Sequence, residues 1–147
     1  MRLVLQRVLR ASVRTDGILL SEIDAGLLVL AGIARDDTRE GAERLAGKVA
    51  RLRVFENEAG RFDRSLLDTA GAVLVVSQFT LLADTGKGNR PSFTAAAAPE
   101  RAEPLLERFC EALEELGVPV RRGLFGARME VDLVNDGPVT IVLDETG

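Results

Sequence analysis

The chain has 147 residues, of which 46% are hydrophobic and 29% charged, with a formal net charge of −4. That length suits one domain with one substantial core, and the balance is that of a folded globular protein rather than a disordered one. No apolar run approaches the roughly 20 residues that a membrane-spanning helix needs.

The sequence contains no His, Trp or Tyr and a single cysteine. Without His, Ser-His-Asp and Cys-His catalysis are excluded, and so is any His-ligated metal; no cofactor is expected. One cysteine allows no internal disulfide, and the charge-interrupted start Met1-Arg2-Leu3-Val4-Leu5-Gln6-Arg7 does not read as a signal peptide, so the expected location is the cytoplasm. The acidic balance and the missing Trp and Tyr stacking platforms argue against a dedicated DNA-binding protein. A local basic patch that holds one RNA end remains compatible with them.

Residues 2–15 read as a first strand, with Leu3, Leu5, Leu9, Ala11 and Val13 on one face and Arg7 as the exception among them. An inward Arg has either a specific partner or a strand that twists out to solvent, and both readings stand here. Thr15-Asp16-Gly17-Ile18 has hairpin chemistry and leads into a short strand through Ile23. Gly26-Leu27-Leu28-Val29-Leu30-Ala31-Gly32-Ile33 is continuously apolar, as a strand buried on both faces should be. Asp37 to Leu52 reads as a helix, with Asp37 and Glu40 forming a capping-box-like start. Val54-Phe55 is a short strand before a polar loop at 56–64, and Ala72 to Gln78 is another buried strand. A glycine-containing loop covers 82–89. The second helix runs from Pro99, or from Glu103 if Pro104 delays it, to Leu116, where Gly117 and Pro119 stop it. Cys110 falls on that helix's apolar stripe and reads as core, not nucleophile.

Between the apolar runs 129–134 and 139–143 lies Asn135-Asp136-Gly137-Pro138. Pro gives no N–H to a sheet ladder, so this segment must break the pairing or lie at its edge. It reads either as a hairpin turn or as a rigid backbone wedge that tests a ligand's shape with main-chain atoms. Two helices can cover one face of so large a sheet; the other face must close into a barrel, pack on a second sheet or meet another subunit.

The best place to look for chemistry is the polar end of the third long strand, Ser77-Gln78-Phe79-Thr80, because functional groups gather at the carboxyl ends of strands in α/β proteins. The amides of Phe79 and Thr80 are candidate oxyanion donors. Thr80 has no His to activate it and is a poor nucleophile.

Ser77-Gln78-Phe79-Thr80-Leu81, Arg90-Pro91-Ser92-Phe93, Phe125-Gly126-Ala127 and Asn135-Asp136-Gly137-Pro138-Val139-Thr140 resemble the motifs of D-aminoacyl-tRNA deacylases, in that family's order and spacing. Gln6-Arg7-Val8, Ala11-Ser12-Val13 and Gly26-Leu27-Leu28-Val29-Leu30 fit the same family, so the resemblance runs almost end to end. It implies a single compact α/β domain over residues 1–147, with curled, barrel-like sheets, two helices on one side, and a homodimer. It also implies hydrolysis of the ester joining a D-amino acid, or glycine on tRNA(Ala), to the 3′-terminal adenosine of tRNA, which serves proofreading in translation. Ser77, Gln78, Phe79 and Thr80 would line the pocket. Gly137 and Pro138, as a Gly-cisPro pair, would enter the partner subunit's pocket and reject L-amino acids, with Arg7 as support for the pair or the pocket wall. The tRNA's own 2′-hydroxyl would assist catalysis, in keeping with a site that lacks acid–base side chains. The alternative is a non-catalytic RNA-end or protein-binding module on the same scaffold.

The sequence departs from the family at Gly60-Arg61-Phe62-Asp63-Arg64, where Gly-Lys-Met-Asn is expected, and at Arg128, where an acidic or neutral residue is common. Arg128 with Arg121 and Arg122 reads either as a tRNA-phosphate patch or as solvated surface.

Overall fold

The computed structural model describes residues 1–145 as one α/β domain with a nearly closed, barrel-like sheet. Its axis is β1 (Arg2–Thr15), which pairs antiparallel along one edge with β8 (Glu130–Asp144). The other edge is shared. The first half of β1 pairs with β3 (Gly26–Gly32) and the second half with β2 (Ile18–Ile23). Beyond β3 lie β6 (Ala72–Ser77) and β7 (Val120–Arg122), both parallel to it. The curl returns β2 towards β7, where Ser21 Oγ donates to the Arg122 carbonyl at 2.6 Å.

Each face of this sheet has its own core. On one side Leu3, Leu5, Leu27, Val29, Val73 and Val75 pack against α1 (Arg39–Arg51) and α3 (Pro99–Glu115). On the other, Val8, Ala11, Val13, Leu28, Leu74 and Val76 fill the barrel interior. Strands β3 and β6 supply alternate residues to both cores, which is why their sequences are unbroken apolar runs. The backbones of these two strands approach so closely that a Cβ on Gly26 would lie 1.9 Å from the Ala72 carbonyl oxygen.

Several expectations need correcting. Leu9 does not face inward: it is exposed, and Val8 is buried instead. The pairing of β1 with β8 slips between Gln6 and Arg10, and that slip reverses the in–out parity and moves the strand from one core to the other. Asp37 does not cap α1. Thr38 does, accepting from the Gly41 N–H at 3.1 Å. Asp37 is instead buried, accepts from the Ala34 N–H at 2.6 Å and pairs with the Met1 ammonium. The second helix does begin at Pro99, in the first turn where a missing N–H costs nothing, and it carries Pro104 inside. The 56–64 loop is a hairpin of β4 (Phe55–Glu56) and β5 (Phe62–Arg64), followed by a single helical turn, α2 (Leu66–Thr69), with a Ser65–Asp68 capping box. None of the helices among the described residues is long and apolar enough to cross a membrane.

Candidate active site

Parallel strands β3 and β6 deliver their carboxyl ends to the same edge of the molecule, and an apolar cavity of about 380 Å³ opens there. Ala31 and Ile33 from the end of β3, and Ser77, Gln78 and Phe79 from the end of β6, form its floor. Phe93 and the Ala96–Ala97 stretch form one wall, Pro99 and Ala102 of α3 a second, and Phe125-Gly126 a third. Three motifs separated by up to 50 residues in sequence therefore meet in one pocket. The Phe79 and Phe93 rings meet edge to face, 5.0 Å between centroids at 69°. Such a pair gives a stiff apolar surface to a flat ligand.

None of the lining side chains is titratable. The chain turns sharply after β6 into a 3₁₀ turn at Phe79–Leu82, whose entry residue Gln78 makes no side-chain cap. The Phe79 and Thr80 amides open that turn, and the first N–H groups of any helix have no carbonyl within it to bond. Thr80 itself stands outside the lining, exposed, and its Oγ accepts from the side-chain amide of Gln78. That amide cannot take a proton from the hydroxyl. Cys110 is buried in the helix-side core, and burial pushes its thiol up to about 12, so it stays protonated and unreactive.

Gly137 and Pro138 are not in this pocket. They sit in a bulge of β8 opposite Arg7, with Thr140 paired to Gln6 on one side and Asn135 to Val8 on the other. The runs 129–134 and 139–143 are therefore two stretches of one strand along β1, and the hairpin-turn reading does not hold. The Gly137–Pro138 peptide is cis, and Gly137 has φ +138°, in the region that favours glycine. Asn135 bridges the bulge, its Nδ2 donating to the Arg7 carbonyl at 2.8 Å and to that of Val139 at 2.9 Å. The pocket lies by the N-terminal end of β1, where Arg2 pairs with Gly32 and donates to the Leu81 carbonyl, whereas the bulge faces the middle of that strand. Five strand steps separate Arg2 from Arg7, a distance of about 17 Å.

Arg7 is buried and has specific partners, which decides between its two readings. Its Nε donates to the Asp136 carbonyl at 3.1 Å and lies 3.3 Å from the Asp136 carboxylate, and one Nη donates to the Val54 carbonyl at 2.8 Å. The other Nη reaches Glu56 Oε1 at 3.4 Å. The structure thus joins Ser77, Gln78 and Phe79 with Phe93 and Phe125 at one site, and Arg7 with Gly137 at another. Asn135 carries a clear structural signal only once its strand is known, and the small apolar wall residues carry none.

The suggested basic trio divides. Arg122 is committed to Glu107 and Glu114 on α3, whose hydrogen bonds raise its pKa, so its charge is already matched. Arg121 and Arg128 are exposed, with no ion pair among the described residues.

The sequence and the fold both have counterparts in known proteins. The D-aminoacyl-tRNA deacylase of Thermomicrobium roseum is 60% identical over 144 residues, 98% of this chain and 94% of that protein. A solved structure titled c-Myc DNA Unwinding Element Binding Protein is 43% identical, with a TM-score of 0.94 and 100% of both chains covered. Another, titled as a structural analysis of a probable eukaryotic D-amino acid tRNA deacylase, has the same fold at 19% identity, with a TM-score of 0.83 over 97% of each chain. The model of the D-Tyr-tRNA(Tyr) deacylase family matches residues 4–144, and with relatives this similar over nearly the whole length, the chain belongs to that family.

Proposed function

We propose that this protein hydrolyses the ester bond of D-aminoacyl-tRNA, glycyl-tRNA(Ala) included, and spares L-aminoacyl-tRNA. The observation that carries the reading is the meeting of the Ser77–Phe79, Phe93 and Phe125-Gly126 motifs in one apolar pocket with no titratable lining side chain. Such a pocket accepts a flat base and an ester carbonyl but offers no general acid or base. Its catalytic means are positioning and main-chain donors, with the Phe79 and Thr80 amides directed at the developing oxyanion. The 2′-hydroxyl of the terminal adenosine, next to the ester, supplies the remaining assistance. Thr80 is a positioning residue and not a nucleophile, because the group on its hydroxyl is an amide.

Selectivity rests on Gly137 and Pro138. The pair faces Arg7, about 17 Å along β1 from Arg2 at the pocket end, and lines no part of its own chain's pocket. Placed in the pocket of a second copy, its side-chain-free edge would meet the substituent on the α-carbon and block the L arrangement. The protein then works as a homodimer in which each subunit completes the other. The surroundings of Arg7 support this, since a buried guanidinium that holds the Asp136 carbonyl fixes the bulge's direction.

A second reading, a nucleic-acid-binding module without turnover, draws on the DNA-element title of the 43%-identical structure. One experiment addresses chemistry and turnover together. D-Phe-tRNA ending in adenosine should lose its ester in multiple turnovers, and the same substrate ending in 2′-deoxyadenosine should react at least about 100-fold more slowly. An equal rate for the deoxy substrate contradicts assistance by the RNA. Tight binding with no ester loss favours the module.

A further inference from the structure

The hairpin β4–β5 carries Phe62 and Asp63 where the family resemblance leads one to expect Met and Asn, and it holds Arg7. Val54 and Glu56 accept from the guanidinium, and the Phe62 ring lies against it with the guanidinium carbon 5.6 Å from the ring centroid. Phe62 itself is 54% exposed, so the ring is spent on the cation rather than on the core. Behind the bulge there is space: Arg7, Phe55, Glu56, Asp136 and Gly137 border a cavity of about 680 Å³. On that side Gly137 is backed by the guanidinium, whose Nη would lie 3.4 Å from a Cβ placed on it.

We propose that the β4–β5 hairpin, through the Phe62 ring, is the positioning device for the Gly137–Pro138 selectivity element, so that Phe62 is a specificity-determining residue of this chain. The inference rests on the selectivity role proposed for Gly137 and Pro138. The ring face holds the guanidinium by cation–π attraction and limits its swing into the open cavity. The guanidinium in turn holds the Asp136 carbonyl and carboxylate, and so the bulge. Removing the ring leaves every hydrogen bond of Arg7 chemically available but lets the guanidinium move. The bulge should then lose precision, while the substrate pocket by the N-terminal end of β1 is untouched.

The test compares wild type, Phe62→Leu and Phe62→Trp in single-turnover deacylation of D-Phe-tRNA and L-Phe-tRNA, with melting temperatures recorded. In Phe62→Leu the D/L rate ratio should fall about tenfold through faster L-ester loss, with the D-ester rate within about twofold of wild type. Phe62→Trp, which keeps a ring face, should restore the ratio. An unchanged ratio in Phe62→Leu overturns the proposal. So does an equal fall in both rates, which marks a general structural role, and so does failure of Phe62→Trp to rescue. Wild type without a D/L preference removes the selectivity reading and this proposal with it. A wild-type preference that Phe62→Leu leaves intact contradicts the hairpin's role alone.

Discussion

At the scale of single residues, Arg7 shows how much a sequence reveals about a buried charge. Its inward position was legible, since it interrupts an apolar alternation. Its partners were not, because Val54, Glu56, Phe62 and Asp136 lie 47 to 129 residues away in a fold whose long-range pairing no local pattern encodes. Arg7→Ala leaves the Val54 and Asp136 carbonyls without that donor, which should cost about 2–3 kcal/mol of stability in urea unfolding. It should also raise L-ester cleavage relative to D by about tenfold, the effect of roughly 1.4 kcal/mol. If activity and discrimination both survive, Arg7 does not support the selectivity element.

At the scale of elements, the sequence was clear where period and burial agree. Strands β3 and β6 and helices α1 and α3 follow from unbroken or 3.6-period apolar runs. It misled where one inserted residue changes parity. Leu9 and Val8 exchange roles at the slip opposite the Gly-Pro bulge, and nothing in residues 2–15 announces a bulge that belongs to β8. The cap of α1 was misplaced by one residue for a different reason. Asp37 and Thr38 are both good caps by type, and only the tertiary demand of the Met1 ammonium on Asp37 decides between them. Thr38→Ala should accordingly cost about 1 kcal/mol of unfolding free energy, read as a lower urea midpoint at constant m-value. A neutral Thr38→Ala would show that its hydrogen bond to Gly41 contributes nothing. The pocket was half legible in the same sense: the polar end of β6 and the two aromatic motifs at Phe93 and Phe125 stand out, whereas Ala31, Ala96, Ala97 and Ala102 carry no chemical signal and line it only through the fold.

At the scale of the whole molecule, β1 separates two halves of one proposed function. A pocket that lacks acid–base groups lies by the strand's N-terminal end, and a bulge built from Asn135, Gly137 and Pro138 and backed by Arg7 faces its middle, about 17 Å along the strand. Neither is explained alone. The pocket has no chiral check of its own, and the bulge has no substrate. In the proposed homodimer, two copies that exchange bulges would give each pocket its filter. The most direct measurement is the deacylation rate of D-Phe-tRNA against L-Phe-tRNA with the same enzyme preparation. The account predicts that the D-ester is cleaved at least about 100-fold faster. Equal rates, or an intact D-ester, would contradict it.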